Sequence, residues 1–297
     1  MRSNPQETNG SRVRLHYSVR LVYDVATPAA FLLNIHAAKT ARQIVLDEHF
    51  ALTPEQPWSV SLDPCTRNRI AAFDAPVGGL TVQYDALVDI AHRIVEPGEL
   101  RAEGPAALPL DALPYLRPSR YCQADLVQQD AWDRFGQMRR DYSQVRAVRD
   151  WVRSKITFRT GTSTSTTTVL DTLRDGAGVC RDFAHAMIAY CRALNYPARI
   201  VTAVDYGADP NLGPPDFHAY VEVFLGGSWY IFDPAGISPV TGLVRIATGR
   251  DVADVSFATL FGSVRTGMPH VRHEAIEDLE QGIGPPLATE LAVSTAD

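Results

Sequence analysis

A cysteine, a histidine and an aspartate follow one another in three motif-like segments. They are Cys180 in GAGVCRDFAHAM, His218 in DFHAYVEVF and Asp233 in WYIFDPAG. A thiol is a weak nucleophile until a base takes its proton, and the base works best when a carboxylate orients it. The chemistry open to such a set is attack on an acyl carbon, with a covalent thioacyl intermediate. Each residue alone has a plainer reading. A free cysteine is most often a small core residue, and an aspartate before proline is a turn former. What decides the matter is whether the chain brings the three together.

The elements that must position them can be read from spacing. Gly176 and Gly178 break regular structure, and apolar residues then fall at 180, 184, 187, 188, 191 and 194. That spacing predicts a helix with one core-facing stripe. Asp182 adds a favourable charge to its first turn, and Asn195 with Pro197 supplies the stop. A thiol in a first turn meets the positive helix end, which favours thiolate. Phe217 to Leu225 and Ser228 to Phe232 are rich in strand formers, and Gly226-Gly227 between them predicts a two-residue hairpin. Such a turn pairs Leu225 with Ser228 and Phe224 with Trp229. Continued, the register sets Asp233 opposite Tyr220. His218 then shares a face with Asp233, one diagonal step away, at about 7–8 Å between backbones. The helix bearing Cys180 is expected to pack on that same face.

These segments resemble a known family. GVCRDFAHAM, DFHAYVEVF and WYIFDPAG are similar to the core of the transglutaminase-like superfamily, in its bacterial cysteine-peptidase-like branch. Tyr17 to Val95 resembles the β-rich N-terminal domain that accompanies this core in bacteria. LPYLRPSRYCQAD resembles the joint between the two, and ATGRDVADVSFATLFG resembles the family's C-terminal stretch. The resemblance implies Cys180 as nucleophile, His218 as general base and acid, and Asp233 as the orienting carboxylate. It implies a papain-like α+β fold for the core. The Cys180 N–H is one candidate oxyanion donor. The papain pattern would put a glutamine six residues before the cysteine, where this chain has Arg174, so the second donor has no candidate.

Composition sets outer bounds. The 297 residues predict two domains. Hydrophobic content of 45% and charge of 21% are ordinary for a globular protein. A net charge of −6 without a basic run argues against nucleic acid or an anionic membrane as partner. The polar N-terminus and the lack of a long apolar run predict neither signal peptide nor membrane span. Cysteines 65, 122, 180 and 191 form no CxxC pair, which predicts free thiols in a reducing cytoplasm.

The expected architecture is α+β, an antiparallel β-sandwich followed by a papain-like, transglutaminase-type core. A tail covers 1–11, and alternation from Arg12 to Tyr23 opens a β domain over 12–96. Further strand-like runs lie near 31–36, 42–47, 58–62, 69–74, 80–85 and 87–95. Five prolines (97, 105, 109, 114, 118) mark 97–118 as an extended linker. The core with a C-terminal extension then spans 119–297, with helices near 123–138 and 143–156. Thr160 to Thr168 and Gly207 to Pro215 are expected to be loops.

Other candidates carry less. Cys191 lies on the same helix face but about 16 Å along the axis from Cys180, which makes it a core residue. His185 has no ligand partner at helical spacing, and His270 with His273 is expected on a surface turn rather than at a metal. No cofactor, metal or calcium loop is expected. The leading function is hydrolysis of a peptide or isopeptide amide in a peptide or protein substrate. Acyl transfer to an amine, as by a true transglutaminase, is the alternative. A non-catalytic protein-binding module on the same fold is the third reading.

Overall fold

A computed structural model describes residues 12–208 and 215–296. The expected tail and most of the expected loop at 207–215 lie outside these residues. The first half of the chain builds a sandwich because its strands alternate. β1 (Arg12–Val25) buries Val13, Leu15, Tyr17, Val19, Leu21, Tyr23 and Val25 and exposes or half-exposes the residues between. Each such side chain contributes at most about 1.5–3 kcal/mol of burial. β2 (Ala29–Leu33), β3 (Gln43–Thr53), β4 (Ser59–Leu62), β5 (Arg69–Ala75), β6 (Gly78–Ala91) and β7 (Arg93–Val95) follow. The runs expected near 80–85 and 87–95 are mostly one long strand, β6. Tyr23 packs edge-on to Phe31 at 5.1 Å, which joins the β1 sheet to the β2 sheet.

The proline-rich segment is not the extended linker expected from its composition. It forms three short 3₁₀ turns at Pro97–Glu99, Pro105–Ala107 and Leu110–Leu116. Proline suits the first position of a helical turn, where no N–H is needed. Leu100, Ala112 and Tyr115 anchor the segment in the core.

Helices α1 (Gln128–Phe135) and α2 (Tyr142–Lys155) precede a short strand β8 (Thr157–Phe158). Helix α3 (Val169–Asp175), strand β9 (Ala177–Gly178) and helix α4 (Cys180–Ala193) follow. A four-stranded antiparallel sheet completes the core, in the order β12 (Ser228–Phe232), β11 (Phe217–Leu225), β10 (Ala198–Asp205) and β13 (Leu243–Gly249). Apolar residues of α4 and α2 cluster with Ala219, Val221, Val223 and Phe232, and Tyr142 of α2 lies 4.8 Å from Phe232. Tyr220 clusters instead with Val201, Ala203, Ile231 and Val293, on the opposite face.

A short helix α5 (Val252–Val255) leads to β14 (Ala258–Phe261), β15 (Val264–Thr266), β16 (His270–Ile276) and β17 (Ala292–Ser294). The expected division at residue 119 groups these strands with the core. Their partners lie elsewhere: β14 pairs with β2, β15 and β16 pair with β1, and β17 pairs with β7. The long β1 has an edge to be covered, and the returning chain covers it. Amide side chains fasten the two halves. Gln43 holds both backbone groups of Arg245, and Asn68 holds both of Thr248, at 2.8–2.9 Å.

Candidate active site

The helix carrying Cys180 starts where the sequence breaks. Gly176 ends α3 in the left-handed region (φ 63), where glycine carries no penalty. β9 then runs parallel to β8 and delivers the chain to α4. Asp182 folds back so that its Oδ2 accepts from the Val179 N–H at 2.8 Å. A Cβ on Gly178 would stand 2.6 Å from the Asp182 Cβ, so the second glycine makes room for this cap. Ser163 donates to the other Asp182 oxygen at 2.9 Å and accepts from Arg181 at 2.6 Å. The Thr/Ser-rich loop is thereby strapped to the first turn of α4. Burial raises the Asp182 pKa, against the opposing pull of these hydrogen bonds. Cys180 sits in the first turn, half-buried, and its N–H has no partner four residues back.

The hairpin has the register read from the glycine pair. Gly226 (φ 57) and Gly227 (φ 83) both lie at positive φ, as a tight two-residue turn demands. Leu225 pairs with Ser228 and Phe224 with Trp229. Trp229 meets Phe224 at 5.3 Å, and the Arg199 guanidinium lies 4.1 Å from its ring centre. Asp233 follows the last pair of the ladder, Val221 with Phe232. His218 Nε2 stands 3.3 Å from Asp233 Oδ1, with both side chains nearly inaccessible to water. That contact is slightly longer than the expected 2.6–3.2 Å, and it is aligned as an ion pair rather than a straight hydrogen bond. Asp233 also accepts from the N–H groups of Ala235 at 3.0 Å and Ile237 at 3.2 Å.

Cys180 and His218 line the same cleft, although neither ring nitrogen of His218 makes a well-aligned hydrogen bond. Burial alone would lower the imidazole pKa. The Asp233 charge and the Cys180 thiol outweigh burial and hold it well above its ordinary value. The Asp233 carboxyl resists burial in turn and is held below the ordinary range by His218 and by the turn N–H groups. With Nε2 turned to Asp233, Nδ1 is the nitrogen left for the thiol.

One expectation is overturned. α4 does not pack on the face that carries His218 and Asp233. It packs on the face of Ala219, Val221 and Phe232, and the opposite face of the sheet is filled by Tyr220, Ile231 and Val293. His218 is the second residue of β11 and Cys180 the first of α4. The two meet at the end of the strand rather than across the middle of a face.

Cys180 and His218 open onto a cleft of 440 Å³, lined also by Ser163, Arg181, Asp216, Phe217, Phe257 and Ala258. Asp216, two residues before His218, has a raised pKa, chiefly through desolvation. Ser163, Asp216 and Phe257 were not singled out from the sequence. Phe257 is carried by a segment that touches the first half of the chain, a link no local pattern reveals.

The remaining candidates are placed elsewhere. Arg174 is exposed on α3 and pairs with Asp175 and Asp171, so it is no counterpart of the papain glutamine. His185 is buried, stacks on Tyr121 and accepts from the Val252 N–H at 3.2 Å, and burial lowers its pKa to about 3. His270 and His273 lie on strand β16, not on a turn. Cys191 is fully buried in the core. Among the described residues no group of three or more His, Cys, Asp or Glu is arranged to hold a metal ion. No described helix is long and apolar enough to cross a membrane.

Comparison with known proteins gives the family. Residues 132–234 match the transglutaminase-like superfamily core, and residues 13–108 match the bacterial transglutaminase N-terminal domain. A crystal structure described as a candidate cysteine protease from Cytophaga hutchinsonii is 33% identical, with a TM-score of 0.89. The similarity covers 97% of this chain and 99% of that one. The chain belongs to the transglutaminase-like superfamily. An uncharacterized protein of Mycobacterium leprae is 26% identical over 257 residues, 82% of this chain and 91% of its own. One of Mycobacterium tuberculosis is 28% identical over 231 residues, 66% and 73% of the respective chains. Membership and the likeness to the Cytophaga protein support a thiol-dependent enzyme on an α+β fold with an N-terminal β domain.

Proposed function

We propose that this protein hydrolyses a peptide or isopeptide amide through a Cys180 thioacyl-enzyme. His218 serves as proton carrier and Asp233 holds it in place. The observation that carries the reading is the buried His218, 3.3 Å from Asp233 and lining one cleft together with Cys180. The thiol proton passes to His218, and the thiolate attacks the amide carbonyl carbon. The Cys180 N–H, at the positive helix end, stabilises the oxyanion. As the C–N bond breaks, imidazolium gives its proton to the leaving nitrogen and a thioester remains. Water then gives a proton to neutral His218 and attacks the thioester, and the acid leaves with thiolate regenerated.

Description of the Cytophaga structure as a candidate cysteine protease supports hydrolysis. The matches to transglutaminase families support a second reading, in which an amine rather than water resolves the thioester. The two differ in how well the acyl-enzyme excludes water. Incubating the protein with casein-derived peptides and a labelled primary amine separates them. Free carboxylate products support hydrolysis, and labelled peptide supports transfer. Neither product, together with a Cys180 no more reactive than a free thiol, would refute both.

A further inference from the structure

The cleft beside Cys180 has one aromatic wall. Phe217, next to His218, stacks on Phe257 with ring centres 4.8 Å apart and planes 14° apart. Phe257 remains 38% exposed although it lies between α5 and β14. Single exposed apolar side chains are common on protein surfaces; what sets Phe257 apart is that it lines the same cleft as Cys180 and His218. Its position is fixed from the first half of the chain. The Asn34 N–H donates to the Phe257 carbonyl at 3.0 Å, and Asn34 Nδ2 donates to the Ser256 carbonyl at 3.0 Å. β14 begins at the next residue and pairs with β2. Phe257 is therefore presented to the cleft by a rigid backbone rather than by a loose loop.

We propose that Phe257, seated on Phe217 and held by Asn34, forms an apolar subsite that takes a large aromatic or aliphatic side chain flanking the scissile amide. This deepens the hydrolase reading and rests on Cys180 as its nucleophile. A flat ring face suits an aromatic side chain by offset stacking or edge contact. Burying such a group against one wall discriminates against a small residue on the order of tenfold. The lining also carries Ser163 and the Arg181 guanidinium, which is already bound to Ser163 and Thr164. That polar part suits the peptide backbone better than an apolar side chain.

The test uses two peptidyl chloromethyl ketones that differ only in the residue beside the warhead, phenylalanine or alanine. Rates of Cys180 modification are read by mass spectrometry and divided by the iodoacetamide rate of the same protein. The normalised rate should favour the phenylalanine probe by about tenfold in the native protein. Phe257→Ala should remove most of that preference, and Phe257→Leu, which keeps an apolar wall, should retain a good part of it. Equal rates for the two probes, with Cys180 reactive to iodoacetamide, would overturn the subsite and leave the hydrolase reading standing. So would a preference untouched in Phe257→Ala. A Cys180 inert to iodoacetamide and to both probes would overturn the nucleophile, and the subsite with it.

Discussion

Replacing Asp233 by asparagine tests the relay most directly, because it removes one charge and keeps the shape. At the 3.3 Å separation of His218 and Asp233, two unit charges interact by about 5 kcal/mol at an effective dielectric of about 20. Asparagine keeps an oxygen that can face the ring, so roughly half of that term should be lost. A loss of 2–3 kcal/mol is about a hundredfold in the population of the thiolate–imidazolium pair. The assay is Cys180 alkylation by iodoacetamide, from about pH 5 to about pH 9. The native protein should react fast at the acid end, because a raised His218 pKa lets imidazolium support the thiolate there. In Asp233→Asn the rate near pH 6 should fall by about a hundredfold, and the gap to the native protein should close towards the alkaline end. Stability should follow the same pair. The depressed Asp233 pKa gives a contribution present above about pH 4 and lost as pH falls through the folded value. The raised His218 pKa gives one present below about pH 6.5 and lost as pH rises through the folded value. The gap in melting temperature between native and variant should thus be widest between those limits and narrow on both sides. Superimposable alkylation profiles would show that Asp233 does not act on His218.

Three further outcomes are expected. Cys180→Ala should abolish turnover and shift the unfolding free energy by less than about 1 kcal/mol, as for a half-buried first-turn residue; thermal melts and product assays check both. Among the four thiols, Cys180 should alkylate first and exposed Cys65 second. Cys122, whose pKa burial pushes to about 12, and the fully buried Cys191 should trail, as peptide mapping over time would read. Glu222→Gln should cost about 3–5 kcal/mol in denaturant unfolding, since it strands the Arg199 and Arg245 charges now paired with a fully buried carboxylate.

How far these features could be read in advance differs by element. The hairpin was legible because Gly226-Gly227 admits few turns, and the turn alone sets the register that puts His218 near Asp233. α4 was legible because its apolar residues repeat at helical spacing, although it is buried on all sides from Asp182 to Ala193 rather than along the one stripe expected. The face on which α4 packs was not. β11 is buried along both faces, so the alternation that separates core from solvent is absent. The strands β14 to β16 escaped notice for the opposite reason. Of β16 only Val271 is buried, and its partner β1 lies at the other end of the chain. Phe257 could not be found because its place is set by Asn34, far away in sequence.

The two halves of the chain are coupled more tightly than a linker between domains requires. β13 is the edge strand of the core sheet, and an open edge is a liability. Here Gln43 and Asn68 occupy the backbone groups of Arg245 and Thr248 from outside the sheet, and Asn34 donates from its side chain to the Ser256 carbonyl and from its backbone to the Phe257 carbonyl. Three amide side chains from the first 68 residues thus fix one edge of the core and one wall of the cleft. Gln43 and Asn68 suit this task because each offers donor and acceptor together and matches a peptide unit. The consequence is chemical as well as mechanical. How long a thioester at Cys180 survives depends on how water enters the cleft. The cleft wall at Phe257 is held by the β domain, not by the helix that bears the thiol. Hydrolysis and transfer would then be balanced by residues outside the core that carries the nucleophile.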